Sequence, residues 1–133
     1  ALGGAPGVFS ARYAGVHGDD EANNRKLLAE MQAVPAGQRT ARFVSAVCFM
    51  LPDGRALTVE GVCPGSVAFA PAGENGFGYD PLFIPDRVGV GVGTVENAAR
   101  RTYAELADAE KDAISHRGRA MEKLESELPE FLN

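Results

Sequence analysis

Two apolar runs joined by a tight turn constrain the fold more than any other feature of this chain. From Arg42 to Leu51, Phe43, Val47, Phe49 and Leu51 fall on one side of an extended strand. Val44, Ala46, Cys48 and Met50 fall on the other. Both sides are apolar, which predicts a central strand covered on two faces. Pro52-Asp53-Gly54-Arg55 then supplies a turn with Asp-Gly at its centre. A second long strand follows through Leu57, Val59, Gly61 and Cys63, is interrupted at Pro64-Gly65, and resumes over Val67 to Ala70. This hairpin sets Cys48 beside Val59 and Cys63 beside Val44. The two cysteines therefore do not face each other and read as buried free thiols.

The other elements are shorter. Pro6 to Ala14 suits a short helix with proline in its first turn. Asp19 or Asp20 caps a second helix running to about Met31, with Leu27, Leu28 and Met31 as its apolar stripe. Pro71 to Gly76 is a loop by composition, and Leu82-Phe83-Ile84 is a short strand ending at Pro85. Val88 to Gly93 reads as a flexible loop or a poor strand. Thr94 reads as the cap of a helix using Val95, Ala98, Ala99, Thr102 and Leu106. Asp108 caps the last helix, with Ile114, Met121, Leu124 and Leu128 turned inward and Pro129 ending it. Ala1-Leu2, ahead of a glycine-rich turn, reads as the tail of a strand.

With 133 residues, the chain is one domain or part of one. A net charge of −5 argues against a nucleic-acid polymer as partner, because duplex binders present a basic face. It leaves room for a mononucleotide, which needs only a few local cations. No apolar run approaches the ~20 residues that span a bilayer, and no signal peptide opens the chain. A reducing, cytoplasmic setting fits the two free thiols.

The chemistry concentrates in two segments. Gly76-Phe77-Gly78-Tyr79-Asp80 places two aromatic rings and a carboxylate on backbone that bends sharply. Lys111 to Arg117 groups Lys111, His116 and Arg117. At about 100° per residue from Ile114, Met121 falls near 340°, Leu128 near 320°, Leu124 near 280° and Arg117 near 300°. Arg117 is thus expected in the centre of an apolar stripe, where a guanidinium needs a partner. That partner is either an internal carboxylate or an oxygen of a ligand. Lys111 and His116 cannot share one face of a straight helix, so either the helix breaks near Ser115 or a site wraps around its end. Rings, carboxylate and cations together suit a planar heterocycle with an anionic tail. Aromatics near strands more often belong to a core, however, and lone histidines are more often structural. Asp19, Asp20 and Glu21 read better as a helix cap than as metal ligands. Glu60 faces either a cleft or solvent. No phosphate loop, zinc-type cluster or catalytic triad is present.

Several of these segments, in this order, resemble the inosine triphosphate pyrophosphatase family. They are Leu2-Gly3-Gly4-Ala5-Pro6-Gly7, Ser10-Ala11-Arg12-Tyr13-Ala14-Gly15, Asn24 with Lys26-Leu27-Leu28, Glu60-Gly61, Gly76 to Pro81, and Ile114-Ser115-His116-Arg117. The resemblance implies an α/β fold with a long mixed β-sheet flanked by helices, two-lobed with a substrate cleft between the lobes. It implies hydrolysis of inosine and xanthosine triphosphates, and their deoxy forms, to monophosphate and pyrophosphate with Mg²⁺, commonly by a homodimer. Phe77 would stack on the base, with Gly78, Tyr79 and Asp80 completing that wall. Lys111, His116 and Arg117 would read its polar edges.

The chain departs from the family pattern in three ways. The family's first portion, with its phosphate loop, general base and most metal ligands, is absent, so residues 1–133 are expected to be one domain truncated at the N-terminus, without its first strands. No catalytic residue or metal ligand is assigned within this chain, which alone is expected to be inactive. Asp112 replaces a usual Asn, and Val88 to Arg101 is longer than the usual connection. The alternative reading is a non-catalytic nucleotide-binding or assembly module that lacks the metal and phosphate site.

Overall fold

A computed structural model describes residues 1–133. A 3₁₀ helix, Gly7–Arg12, precedes helix α1 (Asp20–Glu30). Strands β1 (Thr40–Met50) and β2 (Ala56–Val67) form a long hairpin, and β3 (Phe83–Pro85) adds to the far end of β2. A separate ribbon pairs β4 (Arg87–Val90) with β5 (Gly93–Glu96). A 3₁₀ turn, Tyr103–Glu105, and helices α2 (Asp108–Asp112) and α3 (His116–Leu132) complete the chain. The α/β class with helices against a sheet is as expected. Every strand pair is antiparallel.

The hairpin follows its sequence pattern, with three differences. First, β1 is an edge strand, paired only with β2, and one of its faces is open. It is not the central, doubly covered strand its composition predicts. Second, the register is one residue off. Cys48 pairs with Thr58 and Cys63 with Phe43. The turn is a three-residue loop: Leu51 N–H donates to Arg55 O and Gly54 takes φ 94°. A two-residue Asp-Gly loop would have given the expected pairing. Both thiols are free as expected, but Cys48 is exposed and only Cys63 is buried. Third, Pro64-Gly65 does not interrupt β2. Pro64 O accepts from Asp86 N–H on the β3 side, so the side lacking a proline N–H also faces away from β1.

Two cores position the site. One gathers Cys63, Phe83, Val88, Tyr103, Leu106 and Ile114 under Phe43. Phe43 lies 4.3 Å from the Phe83 ring and 5.5 Å from the Tyr103 ring, centre to centre. The other joins Leu27, Met31, Val67 and Leu82, with Leu2, Tyr13 and Tyr79 packed on it. Ala1 and Leu2 form no strand; the terminal amine donates to Thr40 O at 3.2 Å. Arg39, 4% exposed, links α1 to the sheet without any carboxylate. Its guanidinium donates to the carbonyls of Met31, Val34, Val67 and Ala68, and stacks on Phe69.

Downstream of β3 the sequence reading fails in part. Thr94 lies in β5 and caps no helix. Thr102 instead opens the 3₁₀ turn, and its backbone N–H is held by the Glu105 carboxylate. The Val-Gly run is a strand ribbon because α2 packs on it: a Cβ at Gly89 would stand 2.7 Å from Ala113 Cβ. The final helix is two helices. Ser115 caps α3, its Oγ accepting Gly118 N–H at 2.9 Å. Pro129 lies inside α3 rather than ending it, and Met121 is exposed.

Candidate functional site

The segment from Gly76 to Asp80 is a turn, hydrogen-bonded at Phe77, Gly78, Tyr79 and Asp80, with one side chain left free. Gly76 and Gly78 take φ 88° and 60°, conformations that suit glycine. A Cβ on Gly76 would lie 2.0 Å from Asp80 Oδ2, so only glycine lets the carboxylate fold back there. Asp80 Oδ2 accepts Phe77 N–H at 3.3 Å and stands 3.8 Å from Lys111 Nζ. Asp80 N–H donates to Phe77 O, and Ala104 N–H donates to Asp80 O. Gly78 is bonded on both sides to α1: its N–H to Asp20 Oδ2 and its carbonyl to Asn24 Nδ2, each at 3.0 Å. Tyr79 O–H donates to Ser10 O at 2.5 Å.

What remains free is the Phe77 ring, 70% exposed. Tyr79 does not share its direction. The two are not on a strand, and Tyr79 packs into the core beside α1. The base wall expected from Phe77, Gly78, Tyr79 and Asp80 therefore has one outward ring. The Tyr79 hydroxyl and the Asp80 carboxylate are engaged within the protein.

The cations divide similarly. Lys111, at the end of α2, is paired with Asp80, and both side chains are about one-sixth exposed (16% and 15%). Burial pushes the Asp80 carboxyl up from the usual carboxylate range, against the opposing effects of the Phe77 N–H and Lys111, with Asp20 adding to the rise. His116 opens α3, its ring 5.2 Å from that of Phe43. Its Nδ1 is buried without a hydrogen-bond partner. Burial, reinforced by neighbouring Arg117, holds its pKa below the usual histidine value.

Arg117 is exposed and makes no hydrogen bond or ion pair with the protein. It shares the face of α3 that buries Ala120 and Leu124, three and seven positions on, but stands in the first turn of the helix, ahead of the covered part. The helix break near Ser115, one of the two arrangements the sequence allowed, brings His116 and Arg117 to the start of α3 and leaves Lys111 on α2. No hydrogen bond, ion pair or ring contact joins Phe77 to either of them.

The acidic cluster is a helix start, as read. Asp19 Oδ1 caps Ala22 N–H at 3.1 Å, and Asp20 reaches Gly78. Glu60 is exposed. No group of three or more His, Cys, Asp or Glu side chains converges in a way that would hold a metal ion. Hollows of 430 Å³ beside Arg119 and 370 Å³ beside Asn97 lie elsewhere. No helix is long and apolar enough to cross a membrane. The contacts that Asp20, Asn24 and Phe43 make here were not legible in the sequence, because their partners lie far away along the chain.

The sequence and fold have clear relatives. A dITP/XTP pyrophosphatase of Nocardia farcinica is 51% identical over 124 residues, 93% of this chain and 55% of that protein. The Staphylococcus aureus Ham1 protein superposes with a TM-score of 0.80 at 36% identity, over 97% of this chain and 60% of that one. A nucleoside-triphosphatase / dITP/XTP pyrophosphatase of Mycobacterium abscessus does so with a TM-score of 0.72 at 49% identity, over 90% and 57%. The chain spans 55% to 61% of the length of the curated relatives it matches. The Ham1 family pattern runs from residue 1 to residue 127, across both cores and the Gly76 turn, and the chain belongs to that family.

Proposed function

We propose that this chain is the nucleobase-reading part of an enzyme that hydrolyses inosine, deoxyinosine and xanthosine triphosphates to the monophosphate and pyrophosphate. The observation that carries this reading is Phe77. A phenyl ring left 70% exposed, on a turn whose other side chains are engaged within the protein, is a stacking platform for a flat base. Arg117, exposed and unpaired, supplies donors for a 6-oxo group, which adenine lacks. His116, whose pKa burial and Arg117 lower, offers a ring nitrogen that can accept or donate in the neutral form. Lys111 fixes Asp80 and, through it, the turn. The similarity to dITP/XTP pyrophosphatases supports the substrate class.

The reaction would use Mg²⁺, as the resemblance implies. These residues do not fit a metal centre by themselves, since no three ligating side chains converge, and no chemical step is assigned to the ion within this chain. The metal ligands, general base and phosphate loop would come from residues outside these 133, across a two-lobed cleft. Assembly as a homodimer and a cytoplasmic location, consistent with the free exposed Cys48, belong to the same proposal.

The test is pyrophosphate release from inosine triphosphate against adenosine triphosphate. These 133 residues alone are expected to release none. In a chain that also carries the phosphate loop, Phe77→Ala and Arg117→Ala should each lower kcat/KM for inosine triphosphate by about 10- to 100-fold, the scale of one base stack or charged hydrogen bond. Near-parental activity in both variants would remove the site assignment. The lack of a metal cluster favours a second reading, a nucleotide-binding or assembly module without catalysis. The upstream reading frame separates the two, because only the enzyme needs a phosphate loop and acidic metal ligands encoded there.

A further inference from the structure

An exposed ring on a glycine-flanked turn is useful only if something aims it. Gly76 and Gly78 both sit at positive φ, so their own conformational preference does not fix the backbone beside Phe77. Asp80 holds one side, its carboxylate taking the Phe77 N–H and its own N–H bonding the Phe77 carbonyl, and helix α1 holds the other. Asp20 and Asn24 are four residues apart and lie on one face of the helix. Asp20 Oδ2 accepts the Gly78 N–H and Asn24 Nδ2 donates to the Gly78 carbonyl, both at 3.0 Å. The Gly78 N–H belongs to the peptide that leaves Phe77, so the Asp20 bond, together with the Asp80 N–H on the carbonyl of that same peptide, fixes the ψ of Phe77. The Asn24 bond fixes the next peptide plane.

Neither side chain has another role that explains its placement. Asp19, not Asp20, caps the helix. Asn24 Oδ1 is buried with no hydrogen-bond partner, so the Gly78 carbonyl is the one protein group that orients this amide. Neighbouring Asn23 is used differently: it is buried and fastens the 3₁₀ helix through Ala11 O and Ala14 N–H. Consecutive asparagines thus fasten two different segments to one helix.

We propose that Asp20 and Asn24 are positioning residues that grip Gly78 and thereby aim the Phe77 ring at the purine; this rests on the nucleobase-reading assignment made above. Two readouts test it in the 133-residue chain: exchange of the Gly78 amide hydrogen, and affinity for inosine monophosphate. Asp20→Ala should speed Gly78 exchange about tenfold, the worth of one such hydrogen bond. Asp20→Ala and Asn24→Ala should each weaken inosine monophosphate binding about tenfold. Asn24→Asp, which keeps the shape but loses the donor, should behave like Asn24→Ala. Asp20→Asn, which keeps an acceptor oxygen, should restore both exchange and affinity. A merely structural role would move the melting temperature and all core amides together, and would overturn the proposal. So would unchanged Gly78 exchange in Asp20→Ala, or unchanged affinity in Asp20→Ala and Asn24→Ala beside a loss in Phe77→Ala. If Phe77→Ala binds as well as the parent, or the parent does not bind, the nucleobase reading fails and the aiming role with it.

Discussion

Replacing Gly61 with alanine should unseat the helix that carries His116 and Arg117. Gly61 is buried in β2, directly beneath the first turns of α3. A methyl group there would lie 1.9 Å from His116 O and 2.3 Å from Ala120 N, where ordinary contacts begin at 3.4 Å. Both obstacles are backbone, so no rotamer change relieves them. The helix must retreat by roughly 1.5 Å, the difference between those distances, or the strand must bend away. Backbone entropy pulls the other way: Gly→Ala at a compatible site stabilises by about 0.4–1 kcal/mol. Overpacking costs about 1–3 kcal/mol and more when backbone must move, so sterics win.

The expected outcome is a loss of about 2–3 kcal/mol in urea unfolding at an unchanged m value. Glu60→Ala, exposed on the opposite face, should stay within about 0.5 kcal/mol of the parent. The same displacement carries the start of α3 with it. In a chain competent for hydrolysis, a misplacement of about 1 Å should cost on the order of 100-fold in turnover. A Gly61→Ala protein as stable as the parent would refute the close contact between β2 and α3, and with it the placement of His116 and Arg117.

Other expectations follow from single groups. Arg39→Lys keeps the charge but loses the planar fork that serves four carbonyls, and should lower stability by at least about 2 kcal/mol in thermal melts. An unchanged melting temperature would show that those carbonyls find other donors. His116 has its pKa lowered in the fold, so the unfolded chain takes up its proton first. Stability should therefore be intact above the ordinary value of 6.5 and fall as pH drops from there toward the lower folded value. His116→Phe keeps a ring against Phe43 and should abolish that fall, measured as the difference in melting temperature between pH 7 and pH 5. Asp80, with a raised pKa, contributes with the opposite sign as acid is added, and it cancels in the comparison of the two proteins. A slope unchanged by His116→Phe would assign the pH dependence elsewhere.

The parts of the fold legible in the sequence were those set by neighbours along the chain. The Asp19 cap, the alternation of β1 and the ending of β3 at Pro85 all follow from local pattern. The errors share one cause, a decision made by something distant or by one residue in a turn. The hairpin register turned on whether Gly54 closed a two- or three-residue loop. Around Gly89, where the sequence left loop and strand open, the structure has a strand that α2 approaches closely over the missing side chain. Arg117 has the phase of the buried face but stands in the first turn of α3, and whether the sheet covers that turn is decided by residues far away in the chain.

The same distinction runs through the site. The glycines and the ring are visible in the sequence because their property is intrinsic: a left-handed backbone or a flat apolar face belongs to the residue itself. Which ring is presented does not belong to it. Phe77 and Tyr79 are chemically close and two residues apart, and sequence alone gives them equal standing. Tyr79 is withdrawn by a bond to Ser10, and Phe77 is left outward on a turn gripped by α1 and by the Asp80–Lys111 pair. Those partners lie 69 and 58 positions away for the Ser10 and Asp20 bonds. Selection between the two rings is therefore made by the first helices of the chain, which contain none of the residues that sequence reading assigned to the base. A substitution in α1 that never approaches a nucleotide should thus change base recognition while leaving the aromatic motif intact.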